Sequence, residues 1–189
     1  MTDPAPLDVD EVIARTREWV EKAVIGLTLC PFAAPVHAAQ RIRYRVSLAR
    51  NLVSLQDDLL DELERLNEAD PAQVETTLLI HPLVLTDFLD FNEYLDEAER
   101  ALETLELTGV LQVASFHPQY QFEGTQPGDI ENFTNRSPYP TLHLLREESI
   151  ENAVAAFPDP DSIYERNIET LRRLGHEGWQ RLWRTDKKP

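Results

Sequence analysis

Three segments of the chain gather the side chains able to do chemistry. They are "LIHPLV" around His81, "SFHPQYQFEGTQPGDIENFTNRSPYPTLHLLRE" over residues 115–147, and "LCPFA" around the single cysteine, Cys30. His81 and His117 each close an apolar run and each precede a proline, so one pattern ends two predicted strands. Strand C-termini form the rim where open α/β sheets collect ligands, and neighbouring strands would bring these two imidazoles together there. His143, inside "PTLHLLR", shares a strand face with Thr141 and Leu145 and points back under the long segment. With Cys30 and His81, the pair His117 and His143 supplies the nitrogen and sulfur donors that hold zinc or another divalent transition metal. Spacing builds no such site locally, because neither His-Glu-x-x-His nor Cys-x-x-Cys occurs. The competing reading is structural: the histidines tie down loop carbonyls, and Cys30 is a small packing residue.

The segment between His117 and Tyr139 is far longer than the roughly 12–15 residues beyond which a loop is usually functional or disordered. It carries donors and acceptors of nearly every type. Glu123 or Asp129 could serve as a base or an oxygen ligand, with His117 and His143 as acid/base groups. Asn132, Asn135, Arg136 and the following Arg146 could orient a polar substrate. Each of these can also merely satisfy the loop's own backbone, but loops on a rigid scaffold are where sites concentrate. Four prolines and the rings of Phe122, Phe133 and Tyr139 predict a loop held against the sheet.

Charge adds a second signal. Asp and Glu number 34 against 18 Lys and Arg, a net charge of −16. That balance disfavours nucleic acid and anionic membranes, which need a positive field. No Asp or Glu occurs between Glu21 and Asp57, whereas Lys22, Arg41, Arg43, Arg45 and Arg50 do. Arginine forks in such an island would take an anionic small molecule, Arg43 at its centre first. Alternatively they balance acidic helices packed opposite. No Gly-x-Gly-x-x-Gly, P-loop or Gly-x-Ser-x-Gly motif points to a nucleotide or a serine nucleophile.

The elements that must position these residues are legible from periodicity. Val9, Val12, Ile13, Val20 and Val24 predict a helix ending near Gly26, capped by Asp8. "CPFAAPVHAAQ", with two prolines, predicts irregular chain. "RIRYRVSLA" alternates as a half-buried first strand, and Ser54 caps a helix carrying Leu55, Leu59, Leu63 and Leu66. "ETTLLIHPLVL" is a second strand, and a helix from Asp87 to Gly109 buries Phe88, Phe91 and Leu102. "VLQVASFHP" and "PTLHLLR" are strands three and four, followed by two helices, the second with Asp159 as cap and Pro160 in its first turn. The expected fold is therefore α+β or α/β: a single sheet of about four strands with helices packed on it, thioredoxin-like or ferredoxin-like in element order. Residues 1–178 form one expected domain, and 179–189 an expected frayed tail. The acidic start lacks the features of a signal peptide, no run reaches a membrane span, and one cysteine makes no internal disulfide, so the cytoplasm is the expected compartment.

The motifs "LCPFA" (29–33), "ETTLLIHP" (75–82), "ASFHPQYQFEGT" (114–125), "NFTNRSPYPTLHLLRE" (132–147) and "NIETLRRLG" (167–175) run through nearly the whole chain. On them the sequence resembles a bacterial family known as domain of unknown function 1415. The resemblance implies no activity to carry over. It implies that the long loop, its flanking strands and Cys30 are the family's distinguishing features. Two functions follow as expectations: a small enzyme with its site in 115–147, metal-assisted hydrolysis ahead of redox chemistry, or a non-catalytic module binding an anionic ligand or protein partner through the first strand and the loop.

Overall fold

The computed structural model describes residues 7–156, 159 and 162–184. Helix α1 (Val9–Trp19) starts where the Asp8 side chain accepts the Glu11 N–H, and it runs on into a π-helical turn, Val20–Ile25. The two prolines of the next segment do not prevent a short helix, α2 (Ala33–Ala38). Pro35 lies in its first turn, where a missing N–H breaks no helical bond. Strand β1 (Ile42–Val46) leads to α3 (Leu52–Glu68), whose cap is Asn51 rather than Ser54: the Asn51 carboxamide accepts the Ser54 N–H at 2.9 Å. Strand β2 (Thr76–Ile80), α4 (Phe88–Thr104, capped by Asp87), β3 (Leu111–Phe116) and β4 (Thr141–Arg146) follow, then α5 (Glu147–Ala156) and α6 (Ser162–Leu182).

The strands form one mixed sheet in the order β1-β2-β4-β3, an α+β fold with helices on both faces. β1 and β2 are parallel, while β4 runs antiparallel to both β2 and β3. The C-terminal ends of β1, β2 and β3 and the start of β4 therefore meet at one rim, with Thr141 opposite both Ile80 and Phe116. Antiparallel neighbours can be joined by a two-residue turn. Residues 117–140 are thus far longer than the topology requires.

Every residue of β2 is buried because both its faces are covered. Leu79, Leu142, Leu144 and Leu111 pack beneath the leucine stripe of α3 and Phe91, Tyr94 and Leu102 of α4. On the opposite face Leu78, Ile80 and Val46 pack against Val12, Trp19, Val20 and Val24, with Leu171 and Trp179 of α6. The C-terminal segment is not frayed at 179: the helix reaches Leu182, and Trp179 is buried. Pro160 and 185–189 lie outside the described residues. Gly175, at φ 64° and ψ 173°, breaks α6 into two arms.

Candidate functional site

The pleat decides which face each rim residue serves. Ile80 and Phe116 point to the α1/α6 face, so His81 and His117, one residue on, point to the α4 face. There they flank the ring of Phe91, at centroid distances of 5.7 and 5.1 Å. His117 accepts the Gln119 N–H at Nδ1 (3.0 Å), which assigns its proton to Nε2, 3.2 Å from the Leu85 carbonyl. Its backbone N–H bonds the Asn135 carbonyl. A positive φ of 56° at Leu85 accompanies this arrangement. His81 places Nδ1 3.1 Å from the Val84 carbonyl and leaves Nε2 buried without a partner among the described residues. Burial pushes the His81 imidazole down to about 4 and lowers that of His117 as well, the Leu85 carbonyl opposing the latter shift. The two histidines hold the β2–α4 connection and the long loop against each other as neutral groups.

His143 lies on the other face. Half-buried beside Phe116, it sits 2.8 Å from the Thr76 hydroxyl, which itself donates to the Leu144 carbonyl; His143 Nε2 is therefore the donor to Thr76. Burial pushes this imidazole to about 4. Cys30 packs on the same face, against the α1 core, and burial pushes its thiol up, with N–H groups of Phe32 and Ala33 partly opposing. His117 and His143, expected to serve one site, therefore lie on opposite faces of the sheet. Among the described residues no three His, Cys, Asp or Glu side chains group as metal ligands, so the donor set His117, His143, Cys30 and His81 does not fit a metal ion.

The loop residues divide in the same way. Asn132 is fully buried and spent on the loop: its Oδ1 accepts the Phe122 N–H (3.0 Å) and the Thr125 hydroxyl (2.8 Å), and its Nδ2 donates to the Gln126 carbonyl (2.8 Å). Asp129 accepts the Gln126 N–H, Asn135 donates to the Ser115 carbonyl, and Glu123 is exposed. Arg146 donates to the carbonyls of Leu66, Ala69 and Val74, closing the C-terminal end of α3. Arg43 forms a two-bond fork with the buried Glu62 carboxylate of α3 at 2.7 and 2.9 Å. Arg41 pairs with Glu75, and Arg45 approaches Asp58 and Glu62. The arginine island of β1 is thus matched by acidic residues, as its charge-balance reading required.

What sequence reasoning missed is a cleft of about 380 Å³ on the α1/α6 side of the loop. Helix α1 contributes Arg15, Glu18 and Trp19; the loop contributes Pro118, Phe133, Arg136 and Pro138; the last arm of α6 contributes Trp179 and, just beyond it, Trp183. Arg136 lies 4.3 Å over the Phe133 ring and donates from Nε to Tyr120 and from Nη2 to Pro127 carbonyls, which leaves Nη1 uncommitted. Burial lowers its pKa. Arg15 is exposed and sits 5.8 Å over the Tyr139 ring. Glu18, the carboxylate of the cleft, is engaged by Lys22 at 2.6 Å. Among the described residues neither Arg15 nor Arg136 has a carboxylate within ion-pair distance. The Trp19 indole N–H, in the cleft wall, has no acceptor among the described residues.

The fold and cleft define a small α+β domain with an arginine-and-aromatic cavity built on an oversized loop. A family model described as protein of unknown function (DUF1415) matches residues 11–181, and the chain belongs to that family. No curated protein and no solved structure matches the chain. No helix among the described residues is long and apolar enough to cross a membrane.

Proposed function

We propose that this chain is a cytoplasmic domain that binds a small anionic molecule in the cleft between α1, the long loop and the end of α6. One observation carries the reading: in a chain of net charge −16, Arg15 and Arg136 face a cavity without carboxylate partners. Elsewhere the arginines of β1 are paired, so charge balance does not account for these two. Guanidinium groups left unmatched beside aromatic walls suit a carboxylate or phosphate, which they grip through paired N–H groups. The volume lies in the range of small-molecule pockets. The reading also gives the loop's length a purpose, because four of the residues lining the cleft named above belong to it.

A catalytic reading through His117, His143, Glu123 and Asp129 has less support. His117 and His143 serve opposite faces of the sheet, and Glu123 is exposed, with no partner among the described residues that would position it. The test is calorimetric titration with phosphate, malonate and indole-3-carboxylate. Binding of at least one of them, weakened about tenfold in Arg15→Gln, is the expected result, equivalent to losing one charged contact of about 1.4 kcal/mol. Binding indifferent to Arg15→Gln, or none of the three binding at millimolar concentration, overturns the proposal.

A further inference from the structure

The cleft has a direction. Arg136 stacks on Phe133 at 4.3 Å, Phe133 meets Trp179 edge-to-face at 5.1 Å and 74°, and Trp179 meets Trp183 at 5.6 Å and 67°. A cation thus stands at one end of a row of rings. At the other end Trp183 is half-buried, and among the described residues no further ring packs on it. Arg15, from α1, adds a second cation to the cavity. Prolines 118 and 138 supply further apolar wall without hydrogen-bond donors.

Resting on the anion-binding reading above, we infer that the ligand is a flat aromatic acid: a carboxylate on an aromatic ring system, its charge at Arg136 and Arg15 and its ring against the Trp179–Trp183 end. A hydrophilic anion such as phosphate would satisfy the arginines but leave the tryptophan end wet. A neutral ring would cover the tryptophans but leave two guanidinium groups uncompensated. Only a molecule with both parts meets both ends of the row. Rings favour edge-to-face or offset contact with such indoles, and a flat body loses little conformational freedom on entering.

Three probes separate the parts: indole-3-carboxylate carries ring and charge, malonate charge alone, and indole the ring alone. Titrated calorimetrically into the wild-type chain, indole-3-carboxylate is expected to bind at least tenfold tighter than either of the others. Trp183→Leu should remove its advantage over malonate, and Arg15→Gln its advantage over indole. If malonate binds as tightly as indole-3-carboxylate, ring recognition is wrong while anion binding stands. If indole equals the carboxylate and Arg15→Gln changes nothing, anion binding itself fails and takes this inference with it. Should Trp183→Leu not fold, as judged by circular dichroism, the order of the three probes on the wild-type chain still decides.

Discussion

Arg43 and Arg136 belong to two regions that look alike in the sequence, each an arginine in a polar setting, and differ in what surrounds them in the fold. The Arg43 fork closes on Glu62, with Arg45 and Arg65 gathered around the same carboxylate. Arg136 is held by carbonyls and a ring, and among the described residues no carboxylate lies within ion-pair distance of it. The first region has every charge answered from within and belongs to the architecture. In the second a charge is left over beside a cavity, and on the proposed reading an anion from solution answers it. His117 passes the same test, with both ring nitrogens in use.

The largest effect that would sharpen this division is acid lability of the architectural region. His81 is held near 4 in the fold against 6.5 in an unfolded chain, so the unfolded state binds the proton first as pH falls. Stability from this group is complete above about 6.5 and is lost on descending toward 4. By pH 4 the loss from His81 alone is about 3 kcal/mol. Denaturant midpoints measured across this range should fall with pH, and the slope should shrink in His81→Asn. A flat profile would show that the buried histidines are not the neutral fasteners described.

Next comes Arg43→Ala, which strands the buried Glu62 carboxylate with only its longer contacts to Arg45 and Arg65. We expect a loss of roughly 2–3 kcal/mol, at the low end for breaking a buried pair because Arg43 itself is partly exposed. Anion affinity in the cleft should not change. Asn132→Ala should cost about 2 kcal/mol by leaving loop donors and an acceptor without partners, measured, like Arg43→Ala, by urea titration at neutral pH. The smallest stability effect is expected from Arg15→Gln, within about 0.5 kcal/mol, as befits an exposed helical side chain. If Arg15→Gln destabilised the fold as much as Arg43→Ala, the line between the two regions would disappear.

Much of this was legible beforehand. The apolar spacing of Leu55, Leu59, Leu63 and Leu66, and the alternation of Arg41, Arg43 and Arg45, placed α3 and β1 and even left open the pairing between them. The placing of histidines was not legible, because whether His117 and His143 meet depends on register. A residue one step past Phe116 lies on the opposite face from one two steps past Thr141, and nothing local in either strand states which residues stand opposite. The cleft was missed for a different reason. Its walls come from α1, from a loop and from residues 179–183, segments distant in sequence. Trp179, Leu182 and Trp183 do repeat at the three- and four-residue steps of Leu171 and Leu174, a continuing helical signal that a frayed tail would not carry.

Gly175 gives that last wall a mechanical property. Its φ of 64° with ψ of 173° is a backbone region open essentially to glycine alone, and among the described residues no atom beyond its chain neighbours lies within 4 Å of where a Cβ would stand. The direction of the final arm is set by two torsion angles at this residue together with the packing of Trp179 on Phe133 and the contact of His176 with the Gly128 carbonyl. From Gly175 to Trp183 the arm is about 12 Å long at the helical rise, so a turn of some 10° at the glycine moves the Trp183 indole by roughly 2 Å. Gly175→Ala should cost of order 1–3 kcal/mol in backbone strain or release it by swinging the arm. In the second case the mutant would shift Trp179 slightly against the core and Trp183 further, changing the width of the cleft, so that a single small residue works as the adjusting screw of the cavity's far wall.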